Sequence, residues 1–302
     1  MRSPTLYCIL LATACLACRH ATKQPSAAPD STVSTRAFTY PQAGPIVLGY
    51  NRFLSQLDTD NLTNSQIAWH RFQKDFTGQP AQVCDTGFML FWALQQRLNC
   101  NTPEKYIGPA NLDSLADAEF NGKPLSPRQQ KIYQILQDNH FIVAEDEGNY
   151  FFTPGWRLMN AHFSAYLSGP MKEALAQNVK EEKEGFQNDA AFTITPRQLA
   201  SRTVWWENFM IKYPRQIYFE DAKSRYDMLL YLLVKGMDNS PVIRDDSLIT
   251  PFYDTVYMHL RDSFPNSRTN AVIAPYRLAW LVRDTTTIKR VQDSLGHFVP
   301  WP

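Results

Sequence analysis

Apolar positions recur at helical spacing along most of the chain. Ile46, Val47, Tyr50, Phe53, Leu54 and Leu57 predict a first helix, because residues three and four apart share one face of a 3.6-residue turn. Ile67, Trp69, Phe72 and Phe76 predict a second helix, and Phe88 to Leu98 a third. Residues 99–125 carry Pro103, Gly108, Pro109, Gly122 and Pro124, which predicts mostly loop around one short helix from Leu112 to Phe120. Ser126-Pro127 has the form of an N-cap followed by proline at the first helical position, opening a helix that carries Ile132, Ile135 and Leu136.

The period then changes. In HFIVAEDEGNYFFTP two short apolar runs flank EDEGN, and Gly148 can take the positive φ that a tight hairpin turn requires. Beyond Pro154 the helical spacing returns, with Trp156, Met159, Phe163 and Tyr166 on one helix and Pro170 opening another that ends near Phe186. Thr195-Pro196 is a cap signature. The helix it opens places Leu199, Val204, Trp205, Trp206, Phe209, Met210 and Tyr213 on more than one face, as in an inner layer of stacked helices. Ala222, Tyr226, Leu229, Leu230, Leu233, Val234 and Met237 form a single-faced stripe. The pattern predicts a mainly α fold of stacked helical hairpins with one small β-hairpin.

One internal echo accompanies this. NFMIKYPRQIYFEDAKSRYDMLL and HLRDSFPNSRTNAVIAPYRLAWL each place an aromatic-proline pair between two helical patterns, so that Pro214 aligns with Pro265 and Leu230 with Leu281, an offset of 51 residues. Proline ends one helix and the chain turns back into the next. The region from Thr195 to Arg283 resembles the helix-turn-helix units of tetratricopeptide-like repeat lipoproteins. It departs from them in a period well above roughly 34 residues, in lacking their small-residue signature, and in Pro275, which is expected to interrupt the second copy.

The amino terminus reads differently. Arg2 is followed by a nearly unbroken apolar run from Leu6 to Cys18, shorter than the ~20 residues that span a bilayer. A basic start, a short apolar core and small residues at its end form a secretory signal layout. Three of the five cysteines lie in this segment. LLATACLAC resembles a bacterial lipobox, which implies acylation of Cys18, preceded by Leu16 and Ala17, or alternatively of Cys15. Two or three acyl chains anchor stably where one is marginal. Residues 19–43, rich in Ser, Thr, Ala and Pro, read as a solvated tether with a reach of roughly 25–30 Å. The expected organisation is signal peptide 1–17, lipidated cysteine and tether 18–43, helical region 44–123, helix plus β-hairpin 124–153, and helical-hairpin region 154–302.

Composition narrows the class. A formal net charge of +1 without long runs of one sign gives no reason to expect nucleic acid as a partner. Cys84 and Cys100 flank a stretch that reads as one helix. The ~1.5 Å rise per residue then separates them far beyond the ~7 Å Cα limit of a disulfide, so no bridge is expected unless Gly87 breaks the helix. No P-loop, G-x-G-x-x-G, G-x-S-x-G or H-E-x-x-H occurs, and no cofactor or metal site is expected. Asp58 and Asp60 start like a calcium loop, but Leu62 and Thr63 stand where a ligand and a glycine belong. Glu145, Asp146 and Glu147 read as a charged turn, Trp205-Trp206 as core, and His140 and His162 as surface or satisfied core residues. No catalytic residue is assigned. The expectation is a lipid-anchored, non-catalytic binding or adaptor module on the extracytoplasmic side of a bacterial envelope membrane. Its partners would be that membrane and another envelope protein or peptide. The rival expectation is a hydrolase acting on envelope or extracellular polymer.

Overall fold

Several of the helices begin where a nearby side chain accepts from their free N–H groups. The computed structural model describes residues 44–100 and 109–295; Cys15 and Cys18 lie outside them. Among the described residues the fold is mainly helical, with one small antiparallel hairpin of six-residue strands. The N-terminal half contains α1 (Pro45–Leu54), α2 (Asn64–Phe76), α3 (Ala81–Cys100), α4 (Pro109–Asn121) and α5 (Pro127–Asp138). Strands β1 (Phe141–Asp146) and β2 (Asn149–Pro154) follow, then α6 (Trp156–Phe163) and α7 (Gly169–Glu184). A two-residue ladder, β3 (Gln187–Asn188) with β4 (Ala191–Phe192), leads into α8 (Pro196–Lys212) and α9 (Phe219–Lys235). The chain closes with α10 (Pro251–Ser263), α11 (Arg268–Val282) and α12 (Thr285–Ser294).

Both proline cap signatures are realised as reciprocal capping boxes. Ser126 Oγ accepts from Gln129 N while Gln129 Oε1 accepts from Ser126 N, and Thr195 and Gln198 do the same. Two orphan donors are satisfied at each helix start. In the hairpin, Asp146 pairs with Asn149 across Glu147-Gly148, with φ of 52° and 74°. Two left-handed residues match the twist of the flanking strands.

Two sequence expectations need correction. Helix α3 continues to Cys100, and α4 runs from Pro109 to Asn121, longer than the short helix expected between loops. Proline at the first helical position costs nothing there, because that N–H has no intrahelical partner. Pro275 does not interrupt the second hairpin either. Helix α11 runs through it, with Pro275 and Ala271, whose carbonyl it leaves unpaired, both on the exposed side. Gly87 does not break α3. Instead, a Cβ there would lie 2.5 Å from Phe76 Cζ and 2.9 Å from Phe72 Cε2, so the missing side chain is what lets α2 pack this closely. Cys84 is a free, buried thiol.

Buried apolar side chains form one continuous cluster from Val47 to Val291. Its N-terminal part is aromatic: Phe72 stacks on Phe76 at 4.5 Å, and Phe163 meets Trp69, Phe72, Phe88 and Phe91 at 4.6–5.1 Å. The C-terminal part is organised by tyrosine hydroxyls. Tyr253, Tyr257 and Tyr276, from α10 and α11, donate to the carbonyls of Leu232, Leu233 and Val234 at 3.0, 2.6 and 2.9 Å. All three carbonyls belong to the last turn of α9; that of Leu232 also accepts from Gly236 N, while those of Leu233 and Val234 lie beyond the reach of the helix's own donors. Glu207 on α8, also buried, accepts from Arg268 N, Thr269 N and Thr269 Oγ1 at the start of α11, placing a carboxylate at the positive helix end. Tyr257→Phe is expected to cost about 1–2 kcal/mol, since it strands a buried carbonyl. Urea unfolding checks this, and an unchanged midpoint would show that the carbonyl finds another donor.

Candidate functional site

The α7 and α8 helices are held side by side by groups buried between them. Ser168 and Thr195 cap their N-termini, and Gly185, at φ 74°, ends α7. Arg202 stands at a buried position of α8 and donates to Glu184 Oε2 at 2.8 Å and to the Gly185 carbonyl at 2.7 Å. The buried cation therefore covers the negative end of α7 as well as pairing with its last carboxylate.

On the outer side of this contact lies a groove of about 350 Å³. Gln177, Lys180 and Glu184 of α7 form one wall; Arg197, Ser201, Trp205 and Asn208 of α8 form the other, and Phe264 closes one end. The α8 residues recur every three or four positions and so share one helix face. Trp205 is half-buried, stacked on Phe209 at 5.4 Å and edge-on to Trp206 at 4.7 Å. Trp206 itself is fully buried. With Arg202, the lining carries three cations against one carboxylate. The volume falls at the lower end of the ligand-pocket range.

The histidines and acidic residues that the sequence singles out are used internally. His140 Nδ1 meets Ser65 Oγ at 2.9 Å, and its Nε2 meets His162 Nδ1 at 2.8 Å. Sequence alone did not link these three positions. The arrangement has the outline of a proton relay, but Ser65 has no solvent access, so its hydroxyl is out of reach of a substrate. Burial, reinforced by His162, pushes His140 down to about 3, and burial also lowers His162. His162 stacks on Trp69 at 5.0 Å.

At the hairpin tip, Glu145 accepts from Asn188 Nδ2 and Asp146 from Gln187 Nε2 and Asp189 N. The acidic cluster thus fastens β1–β2 to β3–β4. Asp58 accepts from Asp60 N in a turn. Among the described residues no group of His, Cys, Asp and Glu is arranged to hold a metal ion, and no helix is long and apolar enough to cross a membrane.

A second polar assembly joins four helices. Arg225 of α9 lies 5.4 Å from the Trp156 ring and 5.5 Å from the Trp206 ring, with Glu181 Oε2 at 3.7 Å from Nη1. Trp206 Nε1 donates to Glu181 Oε1 at 2.8 Å. Burial raises Glu182 and Asp221 nearby. Glu182 accepts from the backbone N–H groups of Trp156 and Arg157, and Asp221 is hydrogen-bonded to Trp92. Both carboxyls are thereby committed to the fold.

Comparison with protein-family models, with curated proteins and with solved structures returns no match.

Proposed function

We propose that the chain is an exported, lipid-anchored binding or adaptor module of the bacterial cell envelope, without catalytic activity of its own. Acyl chains on Cys18, or on Cys15, fasten it to the extracytoplasmic side of a membrane. The α7–α8 groove takes an acidic segment of another envelope protein or a peptide. Helices α8–α9 and α10–α11 serve as tetratricopeptide-like supports that fix one wall of the groove; the two proline-containing turns between them favour this reading.

The observation that carries the proposal is the groove lining. Its excess positive charge favours an acidic partner. The exposed part of Trp205 offers an aromatic anchor, and Ser201 and Asn208 offer hydrogen-bonding groups to a peptide backbone.

The test is recovery of a partner from detergent-solubilised envelope by the tagged, acylated protein, in parallel with Arg197→Glu and Trp205→Ala. Loss of roughly tenfold or more of one protein with either variant is the expected outcome, the usual scale for an anchor residue. Equal recovery by all three forms contradicts the groove assignment. Turnover of an envelope glycan by the purified protein would support the hydrolase instead. Intact-mass measurement of the native protein separately checks the anchor; an uncleaved leader or an unmodified cysteine would exclude it.

A further inference from the structure

Beyond its first turn, helix α11 is apolar on both its inner and its outer face, with Arg277 its one charged residue, a composition closer to that of an enclosed helix than of a surface one. Its inner face is buried through Ile273, Tyr276 and Ala279. Its outer face carries Ala271, Ala274, Pro275, Leu278, Leu281 and Val282, all exposed. Leu278, Leu281 and Val282 are 59%, 59% and 65% exposed, above every other large apolar residue described. All three lie in the last turn and a half of the helix, just before the chain reverses at Arg283, φ 60°.

The corner is flanked by cations. Arg283 follows the last turn of α11 and Lys289 and Arg290 stand on α12, all exposed, and among the described residues no ion pair holds any of them. The carboxylates nearby are Asp284, committed to the N–H groups of Thr286 and Thr287 at the start of α12, and Asp293, on the same shallow surface as Lys289 and Arg290. Arg277, further back, pairs with Asp254 at 2.7 Å. An aliphatic wedge with a basic rim matches the boundary between acyl chains and anionic headgroups.

We propose that the α11–α12 corner rests on the membrane surface, inserting Leu278, Leu281 and Val282 among the lipids while Arg283, Lys289 and Arg290 meet anionic headgroups. This rests on the lipid-anchored reading for the presence of a bilayer, and it adds an orientation: the tether alone leaves the body free to turn, whereas a second contact fixes which face looks outward.

The full acylated protein is incorporated into phosphatidylcholine vesicles with or without phosphatidylglycerol, carrying a solvatochromic fluorescent amino acid at position 281. A blue shift with quenching by spin-labelled lipid is expected when phosphatidylglycerol is present. A probe at the exposed Phe120 position should show neither. Charge reversal in the surface variant Arg283→Glu/Lys289→Glu/Arg290→Glu should weaken the response at least roughly tenfold. The proposal is overturned if position 281 stays water-like in anionic vesicles, if both positions respond alike, or if the charge reversal changes nothing. It is also overturned if the response follows protein concentration in detergent, which would make the corner a contact between copies of this chain. Intact mass of the same sample reports acylation, so a missing anchor is distinguished from a corner that does not insert.

Discussion

Replacing Arg225 with alanine is expected to lower stability by about 3 kcal/mol, the largest effect of any single change considered. Its guanidinium lies near the rings of both Trp156 and Trp206 and beside Glu181, so one side chain joins α6, α7, α8 and α9. Each partly desolvated cation–π contact contributes about 0.5–2 kcal/mol. Removing the cation also leaves Glu181, 12% exposed, without its positive partner, a change that costs more than the pair itself contributes. The 29% exposure of the Arg225 side chain keeps the figure below the cost for a fully enclosed pair. Arg225→Lys is expected to recover less than half of the loss, because an ammonium retains the charge but not the flat stacking surface. Urea unfolding of the three forms measures this. An alanine variant within about 0.5 kcal/mol of the parent would mean that the indoles close over the gap and the cation is dispensable.

The second large effect is loss of stability in acid, centred on His140. Its folded value of about 3 lies below the ordinary ~6.5, so between those limits the unfolded chain binds the proton more readily. The stabilisation is complete above about pH 6.5 and is lost as pH falls toward 3, amounting to about 2–3 kcal/mol by pH 4.5. His162, itself lowered by burial, with Asp138 and His70 acting on it, loses stability in the same direction. The control is His140→Asn. Position 140 has φ 62°, and asparagine tolerates the left-handed region better than most residues. That variant is expected to be less stable at neutral pH yet to lose less on acidification. Urea midpoints at pH 7 and 4.5 decide the matter; equal acid losses in both forms would place the sensitivity elsewhere.

The features readable from sequence were those whose cause is local. Ser126-Pro127 and Thr195-Pro196 announced two helix starts because a cap and a fixed φ act within four residues. EDEGN announced the hairpin because a two-residue turn requires positive φ at Glu147 and Gly148. The extent of α4 and the continuity of α11 are not legible, because a proline in a sequence reads as a boundary. Pro109 occupies a first-turn position and Pro275 an outward-facing one, where its penalty is reduced. The groove was not legible, since it exists only through the mutual placement of α7 and α8. The one sequence signal that could have pointed toward it is Arg202, a cation set between the apolar positions Leu199 and Val204 of α8. Nothing in the 22-residue spacing of His140 and His162 tells that a hairpin and a helix bring them to 2.8 Å. Acylation of Cys18 or Cys15 concerns residues outside those described and remains a proposal.

The most direct measurement is site-specific photo-crosslinking in cells, with a photoreactive amino acid placed at Asn208 in the groove or at the exposed Lys223 position. A discrete protein adduct at 208, absent at 223 and abolished by Arg197→Glu, is the expected result. Adducts of equal yield at both positions, or none at 208 while the tagged protein is correctly acylated, would contradict the groove as the place where this chain meets its partner.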